Sequence, residues 1–130
     1  SFTNRYAVIM ARPREFDEAK VLASARQLFA SNGYHGTSID DLVQATGLLR
    51  GSLYKAFGSK RNLFEKILAE IADDFKATPE SLDLLTVALK DLAAVDKPIR
   101  LLCLKIVGKN SKTYANLLGA NLLAKMKENK

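Results

Sequence analysis

This sequence predicts an all-α chain: an N-terminal three-helix helix-turn-helix domain, joined by a long fourth helix to a short helical C-terminal bundle. Three observations predict it. Apolar residues recur at intervals of three and four along most of the chain. Gly33, Gly47, Gly58 and Gly108 stand where these periodic stretches end, and Pro79 and Pro98 stand where others begin. No stretch alternates apolar with polar residues as a half-buried strand does.

The first helix spans Phe16 to Asn32. Val21, Leu22, Ala25, Leu28 and Phe29 form its apolar face, Asp17 and Glu18 sit where the helix dipole favours anions, and Gly33 closes it. Thr37 or Ser38 suits the N-cap of a second helix, running from Ser38 to Ala45 and ending at Gly47. Asp40 and Asp41 occupy its first turn, and Ile39, Leu42 and Val43 its apolar side. Arg50 to Phe57 form a third helix, since Leu53 and Phe57 lie four apart, and Gly58 stops it. Ser59 caps a longer fourth helix on which Leu63, Phe64, Ile67, Leu68, Ile71 and Phe75 share a face. Beyond Thr78, Pro79 fits a first helical position, and Leu82, Leu85, Leu89 and Leu92 continue the stripe. Pro98 opens another helix through Val107. Ser111 caps the last one, with Tyr114, Leu117, Leu118, Leu122 and Met126 inward and Lys125, Lys127 and Lys130 suited to its C-terminal end.

The 130 residues correspond to about one domain. A hydrophobic share of 48% with 26% charged residues supplies a packed core and excludes a disordered tail. Twenty Lys and Arg against 14 Asp and Glu leave a net charge of +6, which points to an anionic partner, either nucleic acid or an acidic membrane surface. The single cysteine, Cys103, excludes an intrachain disulfide framework and a multi-cysteine zinc site, and the single histidine, His35, leaves metal chemistry poorly supplied. No run approaches the roughly 18 apolar residues of a membrane span. A cytoplasmic protein without membrane attachment is expected.

Catalysis is not expected either, and neither a cofactor nor a metal is called for. Cys103 lies inside the apolar run Leu101 to Val107 and reads as a small buried hydrophobe. His35 reads as a loop residue. Asp40 with Asp41, and Asp73 with Asp74, are sequence neighbours on helices, so their carboxylates diverge instead of sharing a substrate.

The informative segment is the pair of short helices Ser38 to Ala45 and Arg50 to Phe57, joined by a turn containing Gly47. That is the pattern of a helix-turn-helix unit, in which the first helix braces on the backbone and the second lies in the major groove. Charge agrees with this reading. From Leu42 through Phe64 there is no acidic residue, while Arg50, Lys55, Lys60 and Arg61 give +4, and a polyanion would relieve their repulsion.

Gly33 to Phe64, reading GYHGTSIDDLVQATGLLRGSLYKAFGSKRNLF, resembles the DNA-binding domain of the TetR-type (tetracycline repressor family) transcriptional regulators, and the likeness extends back through Phe16. The resemblance implies a homodimer that binds a palindromic operator in double-stranded DNA and is released by a small-molecule inducer. Position by position, it implies that Arg50 and Gly51 read base edges, Arg50 by a bidentate contact to guanine and Gly51 by close backbone approach. Ser52, Tyr54 and Lys55 would line the groove wall, Thr37 and Ser38 would offer hydroxyls and helix amides to phosphate, and Lys60 would clamp a phosphate. Arg12 and Arg14 could supply an arm. Two positions depart from the family: Leu49 replaces a small hydroxyl cap, and Ala56 replaces a histidine.

The chain then divides into three parts. Residues 1–13 are a flexible N-terminal arm or appended non-native residues, residues 14–58 the helix-turn-helix domain, and residues 59–130 a connecting helix with a truncated or divergent regulatory or dimerisation region. Thr78 to Lys130 carry no part of the resemblance. They read as a truncated or rearranged regulatory domain, a piece of a longer one, or a compact dimerisation module, and their leucine density favours a partner surface. Pro98 to Lys130 carry seven cations against Glu128 alone. Besides a bundle with a solvated basic face, this permits a helical interaction module or a binder of anionic membrane surfaces.

Overall fold

The computed structural model describes residues 16–128, so the expected arm of residues 1–13, with Arg12 and also Arg14, lies outside the described residues, as does Lys130. The elements are α1 (Glu18–Asn32), α2 (Ile39–Thr46), α3 (Arg50–Phe57), α4 (Lys60–Asp73), α5 (Pro79–Val87), α6 (Lys97–Val107) and α7 (Ser111–Glu128). A π-helical turn, Ala88–Leu92, prolongs α5. Among the described residues there is no strand.

Short polar side chains start most of these helices by satisfying amides that the helix itself leaves unpaired. Asp17 accepts from the Lys20 amide at 3.3 Å, Ser59 from Asn62 at 3.0 Å, Thr78 from Ser81 at 3.2 Å and Asp96 from Ile99 at 3.2 Å. At α2 the pairing is reciprocal: the Asp41 amide donates to Ser38 Oγ at 3.0 Å, and the Ser38 amide donates to the Asp41 carboxylate at 2.9 Å. Those bonds hold the Asp41 carboxyl below the usual carboxylate range, with the Ser38 amide contributing most.

Ser111, expected as the cap of α7, is instead the first residue of that helix, and α3 lacks a side-chain cap. Leu49 occupies its N-cap position, makes no side-chain cap bond and is 76% exposed. Leu49→Ser is therefore expected to stabilise the fold by about 1 kcal/mol, a rise of roughly 4 °C in the thermal midpoint read by circular dichroism. An unchanged midpoint would show that the α3 amides already have partners.

The core is centred on α1 and α4. Phe29 and Phe64 meet edge to face with centroids 5.1 Å apart, and Tyr34 stacks on Phe29 at 6.1 Å while meeting Phe64 edge-on at 5.5 Å. The buried cluster continues without a break through Leu84, Leu85 and Ala88 to Ile99, Cys103 and Ile106. The helix-turn-helix unit thus shares one core with α5 and α6, and Arg26 on α1 is ion-paired to Glu80 on α5 at 3.1 Å.

Three expectations change. α4 ends at Asp73, and Phe75 lies beyond it with its ring against Tyr114 at 5.8 Å. The inward stripe of α5 and its π turn is centred on Leu85, Ala88 and Leu92, which leaves Leu89 exposed. On α7 no residue is buried: Leu122 is 48% and Met126 71% exposed, because this helix packs chiefly on α5 and its other side is uncovered among the described residues.

Candidate nucleic-acid interface

α2 and α3 are joined by Gly47, Leu48 and Leu49. Gly47 has φ 76° and ψ 2°, the left-handed conformation that costs a side-chain-bearing residue about 1 kcal/mol or more, and its amide caps α2 by donating to the Val43 carbonyl at 3.0 Å. The Leu48 amide donates to Thr46 Oγ1 at 3.2 Å, so the turn is held from inside. Leu42 on α2 and Leu53 on α3 are buried and set the rotation of both helices.

With Leu53 inward, Gly51 and Lys55 fall on the opposite side of the helix and Tyr54 on its flank, while Arg50, three residues before Leu53, is open as the first residue of α3; all four are exposed. Tyr54 is 43% exposed, and Ser52 lies half-buried at the edge of the same face. A methyl group built on Gly51 would meet nothing within 4 Å, so the fold has no need of glycine there. Five of the expected site residues thus lie on or beside one outward surface of α3.

The other three behave differently. Thr37 is fully buried, and its hydroxyl donates to the Gly33 carbonyl at 2.7 Å, so this side chain closes the turn between α1 and α2. Ser38 is exposed, with its hydroxyl engaged in the α2 cap. Lys60 Nζ donates to the carbonyls of Tyr34 at 3.0 Å and Thr37 at 3.1 Å and stands 4.3 Å from the centre of the Tyr34 ring. Lys60 therefore stitches α4 to the α1–α2 turn, a role that its position after Ser59 does not reveal. One of its three N–H donors is left over. His35 is exposed, with its ring edge-on to Tyr34 at 5.2 Å.

Tertiary partners also reduce the local excess of positive charge. Arg50 is ion-paired with Asp40, across the turn on α2, and Arg61 is held by both carboxylate oxygens of Asp96, at 2.7 and 2.8 Å, with Glu65 adding a further ion pair. These carboxylates lie outside the acid-free stretch Leu42 to Phe64 or, for Glu65, at its edge. The pairing with Arg61, helped by the Ile99 amide and by Arg100, holds the Asp96 carboxyl below the ordinary carboxylate range. Burial moves the Tyr34 phenol up, and pushes the Cys103 thiol up to about 11, so the thiol stays protonated. Among the described residues no helix is long and apolar enough to cross a membrane, and no group of three or more His, Cys, Asp and Glu could hold a metal ion.

Comparison with known proteins gives a consistent picture over this segment. The family of bacterial regulatory proteins, tetR family, matches residues 21–67. Over 55 residues the chain is 49% identical to the uncharacterized HTH-type transcriptional regulator YezE of Bacillus subtilis, covering 42% of this chain and 28% of that protein. Over 70 residues it is 41% identical to the HTH-type transcriptional repressor ComR of Escherichia coli, covering 54% and 33%. A longer and weaker match, 26% identical over 113 residues, joins it to the Escherichia coli repressor BdcR, covering 87% and 52%. The chain thus spans between about a quarter and about half the length of these relatives.

Proposed function

From a chain that carries the N-terminal domain of the tetR family of bacterial regulatory proteins at residues 21–67, we infer a sequence-specific DNA-binding transcriptional regulator. The observation that carries this reading is the outward face of α3, where Arg50, Gly51, Tyr54 and Lys55 are presented together by a helix anchored through buried Leu53. In this reading α3 lies in the major groove. Arg50 donates to guanine O6 and N7, and Gly51 lets the backbone approach. Ser52, Tyr54 and Lys55 follow the groove wall, while the Ser38 hydroxyl, which accepts in the cap and keeps its own O–H to donate, and the remaining donor of Lys60 meet phosphates; buried Thr37 supports that turn from inside. Residues 14–58 are the DNA-contacting unit and residues 59–130 the connecting and regulatory or dimerisation region.

The protein acts as a homodimeric repressor on a palindromic operator, and a small-molecule inducer releases it. The exposed leucines of α6 and α7, Leu101, Leu104, Leu122 and Leu123, are the surface available to a second copy. Two α3 helices about 34 to 36 Å apart in the dimer would suit consecutive major grooves.

The test is selection from a pool of randomised duplexes, followed by measurement of the salt dependence of binding. A palindromic consensus with a steep salt slope supports the reading. Retention on anionic vesicles in place of duplex would favour the second reading, a membrane-surface or interaction module built on α7, which the absence of any buried residue on that helix allows.

Two variants separate contact from folding. Gly51→Ala is expected to stabilise the fold by about 0.5–1 kcal/mol, since alanine is the better helix former, while weakening duplex binding. Tighter binding would place Gly51 away from DNA. Lys60→Ala is expected to weaken all sequences alike and to lower the salt slope by about one. It also lowers the thermal midpoint, because the Tyr34 and Thr37 carbonyls lose their donor. A changed base preference would contradict a phosphate role.

A further inference from the structure

We propose that Asp40 is a specificity-determining positioning residue, which holds the Arg50 guanidinium in its base-reading orientation. The proposal rests on the reading of α3 as the DNA-contacting helix. Asp40 makes no bond in the α2 cap, which Ser38 and Asp41 complete between them. Its carboxylate instead crosses ten residues of chain to Arg50, the first residue of α3. A cation there opposes the helix dipole, and Leu49 offers no cap to compensate, so a carboxylate is the natural counterion.

The geometry leaves Arg50 able to act. Contact is through Nη2 alone, and a guanidinium carries five N–H donors, so the others can serve guanine. Both partners are open to solvent, Arg50 at 53% and Asp40 at 78% side-chain exposure, so the pair is accessible to a duplex seated on α3. A long, rotamer-rich side chain held in place loses less freedom on binding. Where guanine is missing, the guanidinium held in this orientation finds no matching acceptors, so its order favours the cognate sequence.

The experiment uses the selected duplex, a set with each base pair changed in turn, and an unrelated duplex of equal length. Asp40→Asn is expected to tighten the unrelated duplex by about three- to tenfold and to reduce discrimination at the pair read by Arg50 by a similar factor, other pairs being unaffected. Asp40→Glu should restore much of the discrimination. In an Arg50→Ala background, Asp40→Asn should still tighten the unrelated duplex but should change discrimination at no pair. The thermal midpoint should move by no more than about one or two degrees, as for other exposed ion pairs. Discrimination unchanged in Asp40→Asn, or reduced equally at all pairs, overturns the proposal while leaving α3 as the reading helix. If Arg50→Ala alone changes no pair, the assignment of Arg50 fails and this proposal with it.

Discussion

Arg50→Ala is expected to remove roughly 1–3 kcal/mol of discrimination at one base pair of each half-site, about 5- to 150-fold in relative affinity, with smaller changes at neighbouring pairs. The loss is largest at one position because a bidentate guanidinium recognises a single guanine edge. Stability is expected to hold, since the side chain is half-exposed and surface ion pairs of the kind it makes with Asp40 contribute between about 0 and 1 kcal/mol. Competition binding of duplexes changed one pair at a time measures this directly. If the variant discriminates as the parent does, Arg50 is not the reading residue.

The largest effect on folding is expected at Asp96. Its carboxylate, only 15% exposed, accepts two hydrogen bonds from Arg61 and caps α6 through the Ile99 amide. Asp96→Ala removes the cap, worth about 1 kcal/mol, and leaves the guanidinium of Arg61 half-buried without its main partner. The combined cost is roughly 2–4 kcal/mol, a fall in the thermal midpoint on the order of 10 °C. A fall of less than about 2 °C would show that water replaces the pair without penalty.

Acid gives an independent check of the same bond. Because the Asp96 carboxyl lies below its unfolded value of about 3.9, its contribution is present above that pH and is lost as pH falls through the depressed folded value. Asp96→Asn keeps a capping side chain but does not titrate. The difference in midpoint between parent and Asp96→Asn should therefore shrink below pH 4.

The legible features were those with local causes. Ser38, Ser59 and Thr78 begin helices by bonding the amide three residues ahead, and Gly47 turns the chain in a left-handed conformation that suits glycine. Within the site, Gly51 and Lys55 are readable as outward because they lie opposite buried Leu53 in the helical repeat, and Arg50 because it begins the helix. Thr37 and Lys60 were less legible. The sequence marks both as polar residues near a helix start, whereas one is buried on the Gly33 carbonyl and the other spans from α4 to the α1–α2 turn. α7 shows the same limit in apolar residues: a helical stripe says which residues share a side, and the partner decides whether that side is covered.

By itself the sequence determined the helices, the caps at Ser38 and Ser59, and the turn between α2 and α3. These follow from bonds and periodicities spanning at most a few residues. Only the tertiary structure decided which cations are neutralised. Asp40 reaches Arg50 across ten residues and Asp96 reaches Arg61 across 35, and charge balance over such separations depends on where helices pack.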